Sequence, residues 1–248
     1  MDISDFLLKE APIGFKSYSK YVLYSRAIPS MVDGFKPSQR KIIYTANLDP
    51  NKLIKTAAFA GKVVANANYH HGAVSLEAAI NGMAADWNNN MPFMFGDGAF
   101  GSRLVPEAAS PRYTSCQLSQ NFFKYFPEID NDILPKCEDA LDPEPRYYIP
   151  TLPTVLFNGI KGISVGFATT IFPYDVGNIR SIVKKIIKGK KIPKRILPKF
   201  PEFKGEVVIE GDRVICKGIY EMSGNNITIT EIPPEITREK YLIHLETL

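Results

Sequence analysis

The chain has 248 residues, 45% of them hydrophobic, enough for a sizeable core in one large or two modest globular domains. Its formal charge of +4 is mildly basic, compatible with a polyanionic partner without requiring one. Cys116, Cys137 and Cys216 stand far apart, outside any CxxC or Cys/His cluster, which argues against a disulfide framework or structural zinc and fits a reducing compartment.

The N-terminal MDISDFLLKEAPIGFKSYSKY lacks the basic start and continuous apolar segment of a signal peptide. No later run approaches the ~20 apolar residues of a membrane span, so a soluble intracellular protein is expected. SYSKYVLYSRA (17–27) has apolar residues at helical spacing, interrupted by the turn-rich IPSMVDGFKP. After Pro37, SQRKIIYTANL predicts a helix with Ser38 near its start. Arg40 and Lys41 fall on its first turns, where cations oppose the helix dipole, and this hints at an external anion. KTAAFAGKVVANA and HGAVSLEAAINGMAADW predict two further helices, and small residues at their contacts suggest a helix-turn-helix arrangement.

NNNMPFMFGDGAFGS (88–102) is dense in Asn, Gly and aromatics and reads as irregular backbone, while RYTSCQLSQNFFKYF returns to helical spacing. Around Pro150, short β-prone runs mix with Gly and Pro. VGNIRSIVKKIIKGKK predicts an amphipathic basic helix ending near Gly189, read as a solvated face rather than a membrane or calmodulin-type helix. From Phe203, strand runs alternate with turn pairs at Gly211-Asp212 and Gly224-Asn225, the pattern of an antiparallel meander in a second, β-rich domain from near Lys190. Within EAASPRYTSCQLS, Tyr113 taken alone is either a helix-edge core aromatic or a nucleophile beside the cation of Arg112.

In chain order, YSRAIPSMVDGFKPSQRKIIY, YHHGAVSL, GDGAFGSR, ASPRYTS and LPTVLFNGIKGISVGFAT resemble the consecutive signatures of type IIA DNA topoisomerases. The likeness runs from about Tyr18 to Pro233 and is greatest to the DNA-cleaving subunit of T4-like phages. It implies an α+β fold: a winged-helix (CAP-like) DNA-cleavage domain over 1–189, then part of a β-rich tower domain over 190–248. It also implies an enzyme that passes one duplex through another, with Tyr113 attacking a phosphodiester and holding the cut end.

A phenol with a pKa near ~10 needs a neighbouring cation or base to act at neutral pH, and arginine supplies a permanent charge with a donor fork matched to phosphate. The resemblance therefore gives Arg112 the role of phosphate clamp and Arg26 that of second catalytic arginine. It makes His71 a hydrogen-bond donor to phosphate or a proton relay, where a capping or core histidine is the ordinary reading. Lys36, Arg40 and Lys41 are expected to bind flanking phosphates with little base reading. His70 is grouped with these DNA-binding residues, although its ordinary reading is structural. Ile163 matches the family's apolar wedge that kinks DNA, against simple core packing.

No metal-ligand set is expected within this chain. IEGDR (209–213) lacks the rest of a TOPRIM acidic signature, and NGIKGIS lacks the GK[ST] ending of a phosphate loop. Mg2+ and ATP are expected on a TOPRIM/ATPase large subunit. The other expected partners are double-stranded DNA and a second copy in a homodimer within a hetero-oligomer, without a membrane, in the cytoplasm of a phage-infected bacterial host. The family continues beyond the position of Leu248 into a coiled coil bearing a dimer gate, so a fragment or a split subunit is expected, leaving the winged helix as candidate interface. The rivals are a non-catalytic truncated DNA-binding homologue and a small-molecule enzyme, whose mark would be an apolar pocket rather than a basic groove.

Overall fold

The computed structural model describes residues 9–137, 139 and 141–247. Helix α1, Ala11–Val22, starts earlier than the predicted Ser17, with a proline in its first turn where the missing N–H costs nothing. Its end widens into a π-helical segment, Leu23–Ala27, in which the Ile28 N–H reaches the Leu23 carbonyl at 3.0 Å. Arg26 lies in this segment, the kind of irregularity that recurs at functional sites.

Helices α2 (Pro37–Asn47), α3 (Thr56–Asn66) and α4 (Ala73–Ala84) match the three predicted helices. They pack on a three-stranded antiparallel sheet of β1 (Ile54–Lys55), β2 (Met94–Asp97) and β3 (Ser115–Leu118), in the order β1-β3-β2, as a winged helix. Ile42, Ile43, Val63, Leu76 and Ile80 are fully buried with Met94 and Cys116 of the sheet. Burial pushes the Cys116 thiol up to about 12.

The sheet corrects two expectations. The stretch 88–102 contains β2, and the residues after Tyr113 form β3, leaving only the short helix α5, Gln120–Tyr125, of the predicted helical run. The register pairs Met94 with Leu118 and Gly96 with Cys116, so one face of each strand meets the core. The asparagines before β2 serve as backbone caps. Asn89 donates to the Gly82 and Ala85 carbonyls at 2.7 and 2.8 Å, closing the end of α4. Asn90 donates to the carbonyls of Phe157 (3.1 Å), Tyr174 (3.3 Å) and Lys199 (2.7 Å), tying three distant segments together.

Asp33 is the polar centre of the fold. Its fully buried carboxylate accepts from Arg40 Nε at 2.8 Å and Nη2 at 3.0 Å, and from the N–H groups of Phe35 and Tyr148, each at 3.0 Å. Its own carbonyl accepts the Thr154 hydroxyl at 2.9 Å. Gly34 beside it has φ +73°, and an added Cβ would sit 2.6 Å from Val155 Cα, so only glycine passes here. Lys41 is likewise committed: Nζ lies 2.8 Å from the Ala67 carbonyl, 2.7 Å from Asp142 and 2.6 Å from Glu144. Arg40 and Lys41, expected to bind flanking phosphates, are instead committed to partners within the chain. They are 7% and 8% exposed, and the anions that draw them to the first turns of α2 are internal carboxylates.

Strands β4 (Ile160–Ile163) and β5 (Ala168–Ile171) form a hairpin projecting beside the winged helix, followed by α6, Val176–Ile187. The Asp175 side chain caps α6 by accepting the Asn178 N–H at 2.9 Å, and bonds to Lys199 and to this N–H hold its carboxyl below the usual range. The predicted meander is instead two separate hairpins, β6 (Glu206–Glu210) with β7 (Arg213–Lys217) and β8 (Ile219–Ser223) with β9 (Asn226–Glu231). Their turns fall at Gly211-Asp212 and Gly224-Asn225 as predicted, both glycines at φ +59°. Between the hairpins, a Cβ on Gly218 would lie 2.3 Å from the Glu231 carbonyl oxygen. Glu231 is buried in an ion pair with Arg103, which also donates to the Ile232 carbonyl at 2.8 Å and so fastens β9 to the loop after β2. Helix α7 is Arg238–Glu246, and among the described residues no helix is long and apolar enough to cross a membrane.

Asp33→Ala leaves Arg40 buried without its counter-ion and orphans two N–H groups, so an unfolding free energy lower by ~3–5 kcal/mol is expected in denaturant titration. Lys52→Ala, which removes an exposed pair with Asp49 at 3.5 Å, serves as the control. That change should cost less than ~1 kcal/mol.

Candidate active site

Tyr113 sits on a tight turn immediately before β3, and the turn is locked to the start of α3. The Thr56 and Ala57 N–H groups, which have no partner inside their own helix, donate to the Thr114 and Pro111 carbonyls at 3.0 and 3.1 Å. The buried Thr114 hydroxyl donates to Thr56 Oγ1 at 2.8 Å, and the Tyr113 N–H donates to the Ser110 carbonyl at 2.8 Å. The backbone at Pro111, Tyr113 and Thr114 is thus engaged while the Tyr113 side chain points outward, 67% exposed. Among the described residues its hydroxyl has no hydrogen-bond partner. The Arg112 guanidinium lies 5.3 Å from the Tyr113 ring centroid, and its Nε bonds Ser110 Oγ at 3.3 Å. The core-aromatic reading of Tyr113 is excluded by this exposure.

Arg26 and His71 are joined. Arg26 Nη2 lies 3.0 Å from His71 Nδ1. A guanidinium only donates, so Nδ1 must accept, and the ring is neutral with its proton on Nε2. Burial, and then the charges of Arg26, His70 and Lys41, all hold the His71 pKa below its usual value and favour this neutral form. The edge of the buried Tyr69 ring packs on His71 at 5.5 Å. His70 stacks obliquely on His71 at 4.4 Å, and its Nδ1 donates to the Asn68 carbonyl at 3.2 Å, which fixes its tautomer too. No hydrogen bond joins the Arg26–His71 pair to Tyr113 among the described residues.

Lys36 caps the start of α2, its N–H donating to Gln39 Oε1 at 2.9 Å, while its Nζ donates to the Lys161 carbonyl of β4. Burial lowers its pKa, but an ammonium has three donors and only one is used there. Ile163 ends β4 at the tip of the hairpin and is 88% exposed, which rules out core packing. Phe167, across the same tip, is 66% exposed and was not singled out by sequence, because a lone aromatic between glycine and alanine carries no motif of its own. Sequence also passed over Lys55, whose Nζ donates to the Tyr113 carbonyl at 3.2 Å. Arg26, Lys36, Arg103 and Lys161 line a cleft of about 630 Å³ together with apolar and aromatic side chains such as Trp87, Phe93 and Phe172.

One grouping among the described residues has metal-type donors. Cys137, Asp142 and Glu144 offer ligand atoms within 4.8 Å of one another. The ammonium of Lys41 already bonds both carboxylates, so the grouping holds its cation within the chain.

Comparison with known proteins agrees with this architecture. The family model for the A subunit of DNA gyrase/topoisomerase IV matches residues 26–248. The DNA topoisomerase medium subunit of Enterobacteria phage T4 is 43% identical over 234 residues, covering 91% of this chain and 51% of that protein. Human DNA topoisomerase 2-beta is 34% identical over 246 residues, covering 96% of this chain and 15% of that protein. The chain thus spans about half the length of the phage relative and a far smaller share of the human one. The crystal structure of the Plasmodium falciparum topoisomerase II DNA-binding, cleavage and re-ligation domain superposes with a TM-score of 0.87 at 32% identity, covering 96% of this chain and 33% of that chain. With the family model spanning nearly the whole chain and the same fold present in a solved relative, this protein belongs to the family of DNA gyrase/topoisomerase IV A subunits.

Proposed function

We propose that this chain is the breakage-and-rejoining part of an ATP-dependent type IIA DNA topoisomerase, with Tyr113 as its nucleophile. The observation that carries the reading is the Tyr113 side chain, exposed and with an unpartnered hydroxyl on a loop locked to α3. Its oxygen bonds to phosphorus as one phosphorus–oxygen bond to a sugar breaks. The phenolic proton is lost to a base or solvent, and the departing sugar oxygen gains one. One phosphate ester replaces another, so attack by the same sugar hydroxyl reseals the strand without an external energy source.

The fixed charge of Arg112 favours phenolate as the bond forms and stabilises the extra charge on the phosphate oxygens. His71, kept neutral by the bond from Arg26, presents its Nε2–H as a donor to a phosphate oxygen, and Arg26 brings a second positive charge. Lys36 and Lys55 add phosphate attraction with little base reading, so weak sequence preference follows. The exposed Ile163, with Phe167 beside it, unstacks a base step at a cost of a few kcal/mol, offset by the wider contact of bent DNA.

From the family resemblance we assign Mg2+, which prefers hard oxygen ligands, to acidic residues of a TOPRIM domain and ATP to an ATPase domain, both on a large partner subunit. Double-stranded DNA is the substrate, in a homodimer within a hetero-oligomer in the cytoplasm of a phage-infected host. The same proposal divides the chain into a cleavage domain over 1–189 and a partial tower over 190–248. Gly189, whose φ of +61° ends the turn after α6, and the hairpins beyond it support that division.

In the assembled enzyme with Mg2+ and duplex DNA, detergent trapping should yield DNA covalently bound to this chain. Tyr113→Phe should abolish that product while leaving DNA affinity unchanged. Equal trapping by both would sink the assignment of Tyr113, and trapping by neither would point to a non-catalytic DNA-binding homologue. Arg112→Ala should lower the cleavage rate by ~10²–10³-fold with little change in DNA affinity, measured by single-turnover kinetics. Because the folded-state pKa of His71 lies below 6.5, activity should persist at pH 6.5 and fall only as the pH drops through that lowered value, where Nδ1 gains a proton and loses its bond from Arg26. A pH–rate profile whose acid limb lies above 6.5 would contradict this assignment.

A further inference from the structure

Gly162 occupies ordinary strand backbone in β4, paired with Thr169, and its φ is not positive, so conformational freedom does not explain a glycine there. Space does. A Cβ on Gly162 would lie 2.0 Å from the Ala27 carbonyl oxygen and 2.9 Å from its carbon. An ordinary carbon–oxygen contact is about 3.3 Å, so a methyl group would drive the two backbones about 1.3 Å apart. Ala27 is buried at the end of the π-helical turn and directly follows Arg26. Ile163 directly follows Gly162. The two backbones therefore meet one residue from the exposed hairpin tip on one side and one residue from the Arg26–His71 pair on the other. Lys36 fastens the same strand through the Lys161 carbonyl, and Glu235 pairs with the Lys161 ammonium.

We propose that Gly162 is a positioning residue that seats the β4–β5 hairpin on the Arg26 turn, making the two a single rigid unit. When the apolar tip enters a duplex, the force on Ile163 is transmitted through the Gly162–Ala27 contact to the pair that faces the phosphate. Bending and cleavage are then coupled, and a duplex that resists the wedge leaves Arg26 and His71 out of place. This inference rests on the reading of Tyr113, Arg26 and His71 given above.

The test uses the assembled enzyme with two duplexes, one intact and one made flexible by a mismatch at the kinked step. Bending is read by energy transfer between dyes on the DNA ends, and cleavage by detergent-trapped covalent product. Ile163→Ala should lose both on the intact duplex and regain both on the flexible one, because its Arg26 seat is undisturbed. Gly162→Ala should bend the flexible duplex yet cleave either duplex about 100-fold more slowly, the cost expected of a displacement near 1 Å. Recovery of cleavage by Gly162→Ala on the flexible duplex, or wild-type cleavage on the intact one, overturns the coupling. Should Gly162→Ala fail to fold, Ile163→Ala still reports, since its exposed side chain leaves the core intact. With histidine labelled in a chain that has only three, the His71 ring shift on DNA binding should shrink on the intact duplex and return on the flexible one. An unchanged shift overturns the coupling. Absence of covalent product from the wild type on both duplexes overturns the cleavage reading itself, and so is distinguishable from failure of the coupling alone.

Discussion

The fold is organised around one buried carboxylate. Asp33 is fully enclosed, and burying a charge is tolerable only when its lone pairs are met, as they are here by the Arg40 fork and the N–H groups of Phe35 and Tyr148. Those donors come from α2, from the loop before it, and from a segment more than a hundred residues downstream. Once they converge, the loop from Ile28 to Lys36 has one course, with Gly34 against the Val155 backbone. The π-helical turn with Arg26 enters that loop, and Lys36 leaves it toward β4. The position of the Arg26–His71 pair and of the hairpin therefore depends on this buried interaction.

A second economy serves Tyr113. The first turn of any helix leaves N–H groups without partners, and in α3 the carbonyls of Pro111 and Thr114 satisfy two of them. The same bonds make the tyrosine turn rigid, and the Thr114–Thr56 hydroxyl bond seals its base. Under the proposed role of Tyr113, an exposed phenol on a stiff backbone meets a phosphate with little backbone entropy left to lose. The Asn88–Asn90 run follows a similar logic: a polar stretch that reads as a loop closes the end of α4 and ties distant carbonyls together.

How much was legible depended on how local the cause was. The helices α2, α3, α4 and α6 were readable because alanine content and apolar spacing act within a few turns. The glycine turns of the two C-terminal hairpins were readable because positive φ is a property of the residue. Strands β2 and β3 were not. Four-residue strands carry almost no periodicity, and Cys116, Leu118, Phe122 and Tyr125 have a spacing that suits a helix as well as it suits a strand followed by a short helix. Only the pairing of Gly96 with Cys116, which no local signal contains, decides between them. The missing ladder between β7 and β8 has the same origin, because the close approach of Gly218 to Glu231 sets the course of the chain there.

For the site, the order of motifs by itself determined the family and marked Tyr113, Arg112, Arg26, His71 and Ile163, because residue type and succession are properties of the chain alone. What each cation touches was decided only by the tertiary structure. Arg40 and Lys41 stand in the same motif as Lys36 and carry the same sign of charge, yet their partners Asp33, Asp142 and Glu144 arrive by folding, two of them from a hundred residues away. The same holds for the proton on His71, which is set by a guanidinium 45 positions earlier, and for the glycine at 162, which is set by the carbonyl of Ala27. Distance in space fixes these, since a buried charge or a close backbone contact is defined by what lies opposite it.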